Sequence, residues 1–259
     1  MRGAKNKKNL RMDDVFGKKG VRRTYDRLYL KEDRKNKPKE SFKFIYRVSH
    51  PFLRRMKQPL ILDVGCATGD FLYFMSNKYP EALLRGVDIM PELLEVARRE
   101  VSQAVFSEGD IVTGKGFPEI KFDAVFMNGV NSIFDECEPW LKNVLKVLKK
   151  GGRAYIYGMF NPDDVDVLTR AKNVSRESEP WQQGWQTGWN LTSHKTVLAC
   201  LKKLGADGKF HEFNIGIDIP RNKKDPLRSW TVRMANGKRI TLNGMSIVLN
   251  LSLLEVRTK

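Results

Sequence analysis

Apolar and polar positions follow two different periods along the middle of the chain. Short, mostly apolar runs are separated by longer stretches in which apolar residues recur at helical spacing. The first pattern predicts buried strands and the second predicts amphipathic helices, so their alternation indicates βαβ units and a parallel sheet. The predicted strands are 59–65, 84–89, 104–110, 122–128 and 153–160, and the predicted helices between them are 69–78, 91–101 and 138–149.

The pattern changes on both sides of this core, and the changes suggest how the chain is organised. Residues 1–40 are polar and form an N-terminal arm, and residues 41–259 form the domain. Within the domain, the core is 59–160, a Trp-, Gln- and Gly-rich lid insertion is 161–191, and the C-terminal part is 192–259.

Further elements are predicted at the edges of the core. Residues 41–56 predict a helix interrupted by Pro51, and Pro162 begins a short helix at the start of the lid. In the C-terminal part we expect a helix at 193–204, strands at 210–219 and 246–256, and a hairpin between them. The Asn236-Gly237 pair predicts a type I′ turn for that hairpin.

The formal net charge of +17 is concentrated near the N-terminus. Residues 1–60 hold 20 Lys and Arg against 6 Asp and Glu, whereas the remainder of the chain is nearly balanced. Such a basic arm can follow the phosphates of a nucleic acid, an anionic membrane surface or an acidic glycan. A solvated leader that aids solubility explains the same charge, and charge alone does not choose between these readings.

Other features of composition exclude several classes of protein. No apolar run approaches the roughly 20 residues that cross a bilayer, and no apolar region follows the charged first residues, so we expect a cytoplasmic protein. Cys66, Cys137 and Cys200 are odd in number and form no C-x-x-C pair, which indicates reduced thiols. With three histidines and no helical pair of ligands, we expect no metal site.

The strongest motif is LDVGCATGD at residues 62–70, where an apolar strand runs through a glycine turn into an amphipathic helix. Gly65 and Gly69 let the backbone turn sharply and approach a ligand without a Cβ clash. The spacing G-x-x-x-G differs from the G-x-G-x-x-G that brings backbone against the pyrophosphate of a dinucleotide. Asp63, at the end of the strand, suits a nucleotide-like cofactor that carries a positive amino group and no phosphate.

Two further acids end the next two predicted strands. Asp88, in GVDIM, offers enough lone pairs to accept both hydroxyls of a ribose. Asp110, in EGDIV, can accept the exocyclic amine of an adenine.

In order and spacing, LDVGCATGD, GVDIM, EGDI and FDAVFMNGV resemble the successive motifs of class I S-adenosylmethionine-dependent methyltransferases. The resemblance implies an α/β, Rossmann-like fold with a seven-stranded mostly parallel sheet and helices on both faces, here with a basic N-terminal arm and a C-terminal β-hairpin insertion. It also implies S-adenosylmethionine as the cofactor. The residues that it would place around this cofactor are Asp63, Gly65, Cys66, Ala67, Gly69, Asp88, Ile89, Met90, Asp110, Ile111, Asn128 and Gly129. Ala67 departs from the family, since many members have a glycine there.

A looser resemblance covers the C-terminal half. FNPDDVDVL, the GWN at 188–190 and IDIPRNKKDPLRSWTVRMANGKRITLNG are similar to bacterial methyltransferases encoded with surface-polysaccharide enzymes.

The loop FDAVFMNGVNSIFDE occupies the position that faces the substrate in this family. It lacks the Asn/Asp-Pro-Pro-Tyr/Phe pattern with which many amino-directed members grip a planar nitrogen, which disfavours N6-adenine methylation. Asp135 and His194 are the candidates for taking a proton from an acceptor hydroxyl, and Asn131 is a candidate for positioning it. His50 is a further candidate, although a lone histidine is more often structural.

Trp181, Trp185 and Trp189 recur every four residues in PWQQGWQTGWN, with glycines between them that argue against a helix. Flat indoles beside Asn190 suit the apolar face and hydroxyl rim of a sugar. Trp185, Trp189 and Asn190 therefore join Asn131 as candidate substrate residues. Tryptophans that only pack the lid onto the domain explain the same pattern.

Three functional hypotheses follow. The first is an O-methyltransferase acting on a glycan or a small hydroxyl-bearing metabolite, because the amine-directed pattern is missing and the lid is aromatic. The second is an RNA methyltransferase that uses the basic arm. The third is a binding module that keeps the fold without methyl transfer.

Overall fold

The computed structural model describes residues 21–22, 27–30, 34–174 and 185–258. The helices are α1 (Glu40–Leu53), α2 (Asp70–Ser76), α3 (Pro91–Glu100), α4 (Glu138–Lys146) and α5 (His194–Lys203), with 3₁₀ turns at Arg27–Leu30 and Asn131–Ile133. The strands are β1 (Val21–Arg22), β2 (Leu60–Val64), β3 (Leu83–Asp88), β4 (Ala104–Glu108), β5 (Phe122–Asn128), β6 (Leu148–Asn161), β7 (Arg170–Ala171), β8 (Gln186–Thr187), β9 (Thr192–Ser193), β10 (Ala206–Glu212), β11 (Trp230–Arg233), β12 (Arg239–Leu242) and β13 (Leu251–Thr258).

Seven strands form the main sheet, in the order β10-β13-β6-β5-β2-β3-β4, and short β9 pairs with the end of β6. Five adjacent strands, β4, β3, β2, β5 and β6, are parallel to one another. β13 runs antiparallel to both β6 and β10. The seven-stranded, mostly parallel sheet expected from the sequence is therefore confirmed.

Helices cover both faces of this sheet and enclose two apolar clusters. One cluster packs α4 and α5 against the sheet, and the other packs α1, α2 and α3 against the opposite face. The central strand β5 reads as an almost continuous apolar run because both of its faces are buried. α1 continues through Pro51 to Leu53, so the expected interruption at that proline does not occur.

The order of the strands determines where a ligand can bind. From β2 the chain moves outward through β3 and β4, then returns to the other side of β2 for β5 and β6. In open α/β sheets, ligands bind outside the carboxyl ends of the strands where the order reverses. The crevice at the carboxyl ends of β2 and β5 is therefore the position for a site.

Three element predictions in the second half are wrong. The residues at 162–164 form bends and no short helix begins there. The strand expected at 210–219 is β10, which begins at Ala206 and ends at Glu212. The last strand begins only at Leu251, because the preceding segment turns, with Ser246 at a φ of 61°.

The predicted hairpin is present as the antiparallel pair β11 and β12, but its turn is not type I′. A type I′ turn needs a positive φ at both central residues, and Gly237 alone has one, at 79°. The Gly237 N–H donates to the Met234 carbonyl, and the Met234 N–H donates to the Lys238 carbonyl. This is the three-residue loop in which a type I turn is followed by a left-handed glycine.

The arm and the lid segment meet in a second, small sheet. β8 pairs with β7 in antiparallel and with β1 in parallel orientation. Residues 1–20 of the arm and Trp181 in the lid lie outside the described residues. Across the ranges that the structure describes, no helix is long and apolar enough to cross a membrane.

Candidate functional site

The glycine turn lies between β2 and α2, at the carboxyl edge of the main sheet. Gly65 and Gly69 have φ values of 71° and 80°, which only glycine adopts readily. A methyl group added at Gly65 would overlap Cγ2 of Val130. Gly65 is therefore required both for its conformation and for the close approach of the loop after β5.

Ala67 has a φ of 47°, a left-handed conformation that disfavours an L-residue. Its N–H donates to Oδ2 of Asp88 at 2.9 Å, and this bond holds the turn in place. The departure from the family's glycine is therefore at a position where glycine would be less strained.

Asp88 ends β3 and is almost fully buried. Its other oxygen, Oδ1, accepts a 2.9 Å hydrogen bond from the Met90 N–H. Burial raises the pKa of Asp88, against the hydrogen bonds that it accepts from the backbone of Ala67, Met90 and Ile89. Each carboxylate oxygen has further lone pairs, so Asp88 can still accept hydroxyl donors.

Asp63 and Asn128 lie side by side at the ends of β2 and β5. Asp63 is only 2% exposed, and Asn128 Nδ2 donates to its Oδ1 at 3.3 Å. Burial, together with the charge of Asp88, raises the pKa of Asp63 well above its ordinary value. Oδ1 of Asn128 is buried and has no hydrogen-bond partner among the described residues. This corner therefore offers hydrogen-bond acceptors to a ligand, and a cationic donor would suit them best.

The crevice has open space beside this corner. Gly129 follows Asn128 with a φ of 75°, and a methyl group added there would contact nothing within 4 Å. The side chain of Ile89 is exposed beside Asp88, and Met90 is half-buried. Cys66 points away from the crevice, because its sulfur packs against Gly86 within the core, where burial raises the pKa of the thiol.

Asp110 lies after β4 in a local turn. Its Oδ1 accepts from the Val112 N–H at 2.9 Å, and its Oδ2 accepts from the Thr113 hydroxyl at 3.2 Å. Ile111 is buried in the core cluster. These contacts fix the loop on the side of the crevice where the sequence suggests an adenine.

Asp135 is held by two partners from the lid segment. Arg170 Nη2 lies 2.7 Å from its Oδ2, and Asn190 Nδ2 donates to its Oδ1 at 3.0 Å. Asn190 is itself buried, and its Oδ1 accepts from the Thr169 N–H at 2.8 Å. Asp135 and Asn190 therefore fasten the lid segment to the loop after β5. Sequence reasoning missed Arg170, because no local pattern links it to Asp135.

His194 begins α5 near the end of β6, on the face of the sheet that α5 covers. Its ring stacks on Phe210, with centroids 3.7 Å apart and an angle of 8° between the planes. Burial lowers the pKa of His194, so the imidazole is neutral at pH 7. His50 lies elsewhere, with Nδ1 2.8 Å from the Tyr79 hydroxyl.

The remaining candidate substrate residues divide by exposure. Asn131 is buried, and its Nδ2 donates to the Met159 carbonyl at 2.9 Å. Trp189 is 4% exposed, which agrees with the alternative that a tryptophan of the lid only packs against the domain. Trp185 is 62% exposed. Only Trp185 of this set presents most of its side chain to a ligand.

Comparison with known proteins adds independent support for the fold. The family of methyltransferase domains matches residues 61–152. The YcgJ protein of Bacillus subtilis superposes with a TM-score of 0.56 at 17% identity, over 85% of this chain and 98% of that one. An amino pentose methyltransferase from Micromonospora echinaspora, solved with S-adenosylmethionine bound, gives 0.55 at 15% identity, over 90% and 98%.

Relatives in sequence match mainly the core. A demethylmenaquinone methyltransferase of Chlorobaculum parvum is 37% identical over 101 residues, which cover 39% of this chain and 41% of the relative. A trans-aconitate 2-methyltransferase of an Enterobacter species is 28% identical over 125 residues, 48% and 46% of the two chains. The matches thus span less than half the length of these relatives. Residues 61–152 therefore match a methyltransferase domain, and the chain has the fold of S-adenosylmethionine-dependent methyltransferases.

Proposed function

We propose that this protein transfers a methyl group from S-adenosylmethionine to a hydroxyl of a glycan or of a small hydroxyl-bearing metabolite. The observation that carries the cofactor assignment is the corner of Asp63 and Asn128. A buried carboxylate beside an unpartnered amide oxygen is unfavourable alone, and a bound ammonium group would satisfy both.

The other residues of the crevice suit the remaining parts of the same cofactor. Asp88 has lone pairs for the ribose hydroxyls, and Gly129 leaves room beside the acidic corner. Ile89 offers an exposed apolar surface for the adenine ring, with Met90, Asp110 and Ile111 around it. Gly65, Ala67 and Gly69 shape the turn beneath. Cys66 anchors that turn in the core.

When bound, S-adenosylmethionine supplies a methyl group on a positively charged sulfur, which an acceptor oxygen can displace in line. The protein's part is then to hold the acceptor close and aligned and to exclude water. Of the two candidate bases, His194 is better suited than Asp135. It is neutral, and no described residue hydrogen-bonds to its ring, whereas Asp135 is occupied by Arg170 and Asn190.

Similar proteins act on several acceptors, namely a demethylmenaquinone, trans-aconitate and an amino pentose. A sugar acceptor agrees with the exposed indole of Trp185 in the lid segment. It also agrees with the missing amine-directed pattern after β5.

One observation favours RNA as the alternative acceptor. Residues 1–40 hold 15 Lys and Arg against 6 Asp and Glu, and β1 joins this arm to the lid segment. Phosphate contacts from the arm would give binding that falls steeply with salt.

The test is incubation with isotopically labelled cofactor and cell extract, split into RNA, protein, glycan and small-molecule fractions. Label in the glycan or small-molecule fraction is the expected result, and label confined to RNA would replace it with the alternative. A matched variant, in which the seven Lys and Arg of residues 1–20 become Gln, should leave glycan labelling unchanged. Failure of S-adenosylmethionine to raise the thermal midpoint would overturn the methyltransferase proposal itself.

A further inference from the structure

A second cavity, of about 540 Å³, opens beside the proposed cofactor crevice. Its walls come from the end of β6, the first residue of α5, the end of β10, the strand β12 and the first residues of β13. β6 runs parallel to β5, and its carboxyl end lies at this cavity. Both sites therefore lie at the same edge of the sheet. A volume of this size is typical for metabolite-sized ligands, roughly 300–1,000 Å³.

The cavity has an apolar, ring-shaped wall. His194 and Phe210 form a parallel stack on this wall, and Phe160 packs edge-on against Phe210 with centroids 5.1 Å apart. Flat stacked rings of this kind can support the apolar face of a sugar or another ring.

A buried polar atom in the same wall has no partner. Ser252 is 6% exposed, lines the cavity, and its Oγ has no hydrogen-bond partner within the described part of the chain. Ser252 lies in β13 directly opposite Gly158 of β6, so the sheet itself fixes its position. A buried hydroxyl without a partner is unfavourable, and a ligand hydroxyl would satisfy it.

The segment that contains β11 and the start of β12 is basic, and its end lines the cavity. Residues 216–240, which contain β11 and the start of β12, carry seven Lys and Arg against two Asp. Lys238 and Arg239 line the cavity, and Arg239 is paired with Asp218, with Nε 2.6 Å from Oδ1. No described residue pairs with the ammonium of Lys238. Glu212 is the opposing charge, at the end of β10.

Strand β6 lies between the cavity, which its carboxyl end lines, and strand β5, whose carboxyl end borders the cofactor crevice. Phe213 lines the cavity and packs edge-on against Tyr157, with centroids 5.4 Å apart. The carbonyl of Tyr157 accepts the Gly129 N–H at 2.7 Å. Two strand spacings, about 10 Å, separate β5 from β13. A bound ring compound with hydroxyls on opposite sides can span that distance.

We propose that this cavity is the acceptor site and takes an acidic, hydroxyl-bearing ring compound, a uronic acid or a sugar phosphate. The ring lies against His194 and Phe210, the acidic group meets Lys238, and a hydroxyl reaches Ser252. The inference deepens the proposed function. That the bound compound receives a methyl group rests on the proposed function, whereas the binding itself can be tested separately.

The experiment measures binding of three probes to the full chain by chemical-shift titration at low salt: glucuronate, glucose 1-phosphate and uncharged glucose. At least one acidic probe should bind about fivefold more tightly than glucose, the gain expected from a solvent-screened ion pair. Lys238→Gln should remove that difference. Lys223→Gln, an exposed lysine outside the cavity, should leave it intact. If only one acidic probe binds, it identifies which acid the site takes.

Equal affinity for glucose and the acidic probes, or no binding of any probe, would overturn the proposal. So would an equal loss in both lysine variants, because that outcome reports general charge and not a site. S-adenosylmethionine binding is measured in parallel by thermal shift. If S-adenosylmethionine does not bind, the proposed function is wrong, but the result with the probes is unaffected. If S-adenosylmethionine binds and no probe does, only the proposed acceptor site is wrong.

Discussion

The N–H of Ala67 donates a hydrogen bond of 2.9 Å to the Asp88 carboxylate, and so joins the turn after β2 to the end of β3. The same carboxylate accepts from Met90. Asp88 therefore organises both loops before any ligand arrives, and the residue proposed for the ribose is also a structural part of the glycine turn.

Replacing Ala67 with glycine should not destabilise the protein. A left-handed L-residue costs about 1 kcal/mol, which offsets the larger freedom of glycine in the unfolded chain. We expect a change in the free energy of unfolding within about 0.5 kcal/mol of zero, measured by urea denaturation. Ala199→Gly, on the exposed side of α5, is the matched control and should cost about 1 kcal/mol. Equal losses in the two variants would contradict the strain at Ala67.

Gly65→Ala should be strongly destabilising, by about 2 kcal/mol or more, because it adds backbone strain and an overlap with Val130. Gly151→Ala separates the two effects, since Gly151 has a φ of 75° and open space around it. The overlap should be partly relieved in the double variant Gly65→Ala/Val130→Ala. A double-mutant cycle with no coupling between the two sites would show that the overlap is unimportant.

Asp63→Asn should have opposite effects on stability and on cofactor binding. The pKa of Asp63 is raised in the folded protein, so keeping it ionised lowers stability as the pH rises above 3.8, its ordinary value. The variant should therefore have the higher thermal midpoint at pH 7 and yet bind S-adenosylmethionine about tenfold more weakly. Glu119→Gln, an exposed carboxyl, should change neither quantity. Unchanged cofactor affinity in Asp63→Asn would remove Asp63 from the site.

Glu255 should control stability in acid. It is buried between Arg153, with Nη1 at 2.6 Å, and His211, with Nε2 at 3.0 Å. Burial raises its pKa, but the His211 hydrogen bond and the charges of Arg257 and Arg153 outweigh it, so the pKa is lowered. The stabilisation is present above 4.5, the ordinary value, and is lost as the pH falls through the lower folded pKa.

Glu255→Gln tests this network by thermal unfolding across that pH range. At pH 7 we expect a loss of roughly 2–4 kcal/mol, because two guanidinium groups lose their buried partner. The fall in midpoint below pH 4.5 should then be shallower than in the natural protein. Glu138→Gln, which breaks the exposed pair with Lys203, should cost about 1 kcal/mol or less. An unchanged acid slope in Glu255→Gln would refute the assignment.

The core was predictable because its signals are local. The strand before Asp63 and the turn from Gly65 to Gly69 combine apolar pattern and glycine spacing within one short segment. Five strands and three helices follow the same kind of pattern, and their observed bounds differ from expectation mainly at the ends.

The parts that sequence reasoning missed depend on contacts between distant segments. Nothing near Asp135 indicates that Arg170 will pair with it, and nothing near Ser252 indicates that Gly158 will lie opposite. The prediction of a type I′ turn at Gly237 was wrong for a different reason. Asn-Gly permits a type I′ turn, but the hydrogen bond from the Met234 N–H to the Lys238 carbonyl leaves three residues to connect, not two.

The pairing of Val21 and Arg22 with Gln186 and Thr187 also bears on the order in which the chain folds. Five strands of the main sheet, β2 to β6, lie between these partners in the sequence, so the arm finds its place only after they have been synthesised. This pairing therefore forms late, and nucleation of the core does not depend on it.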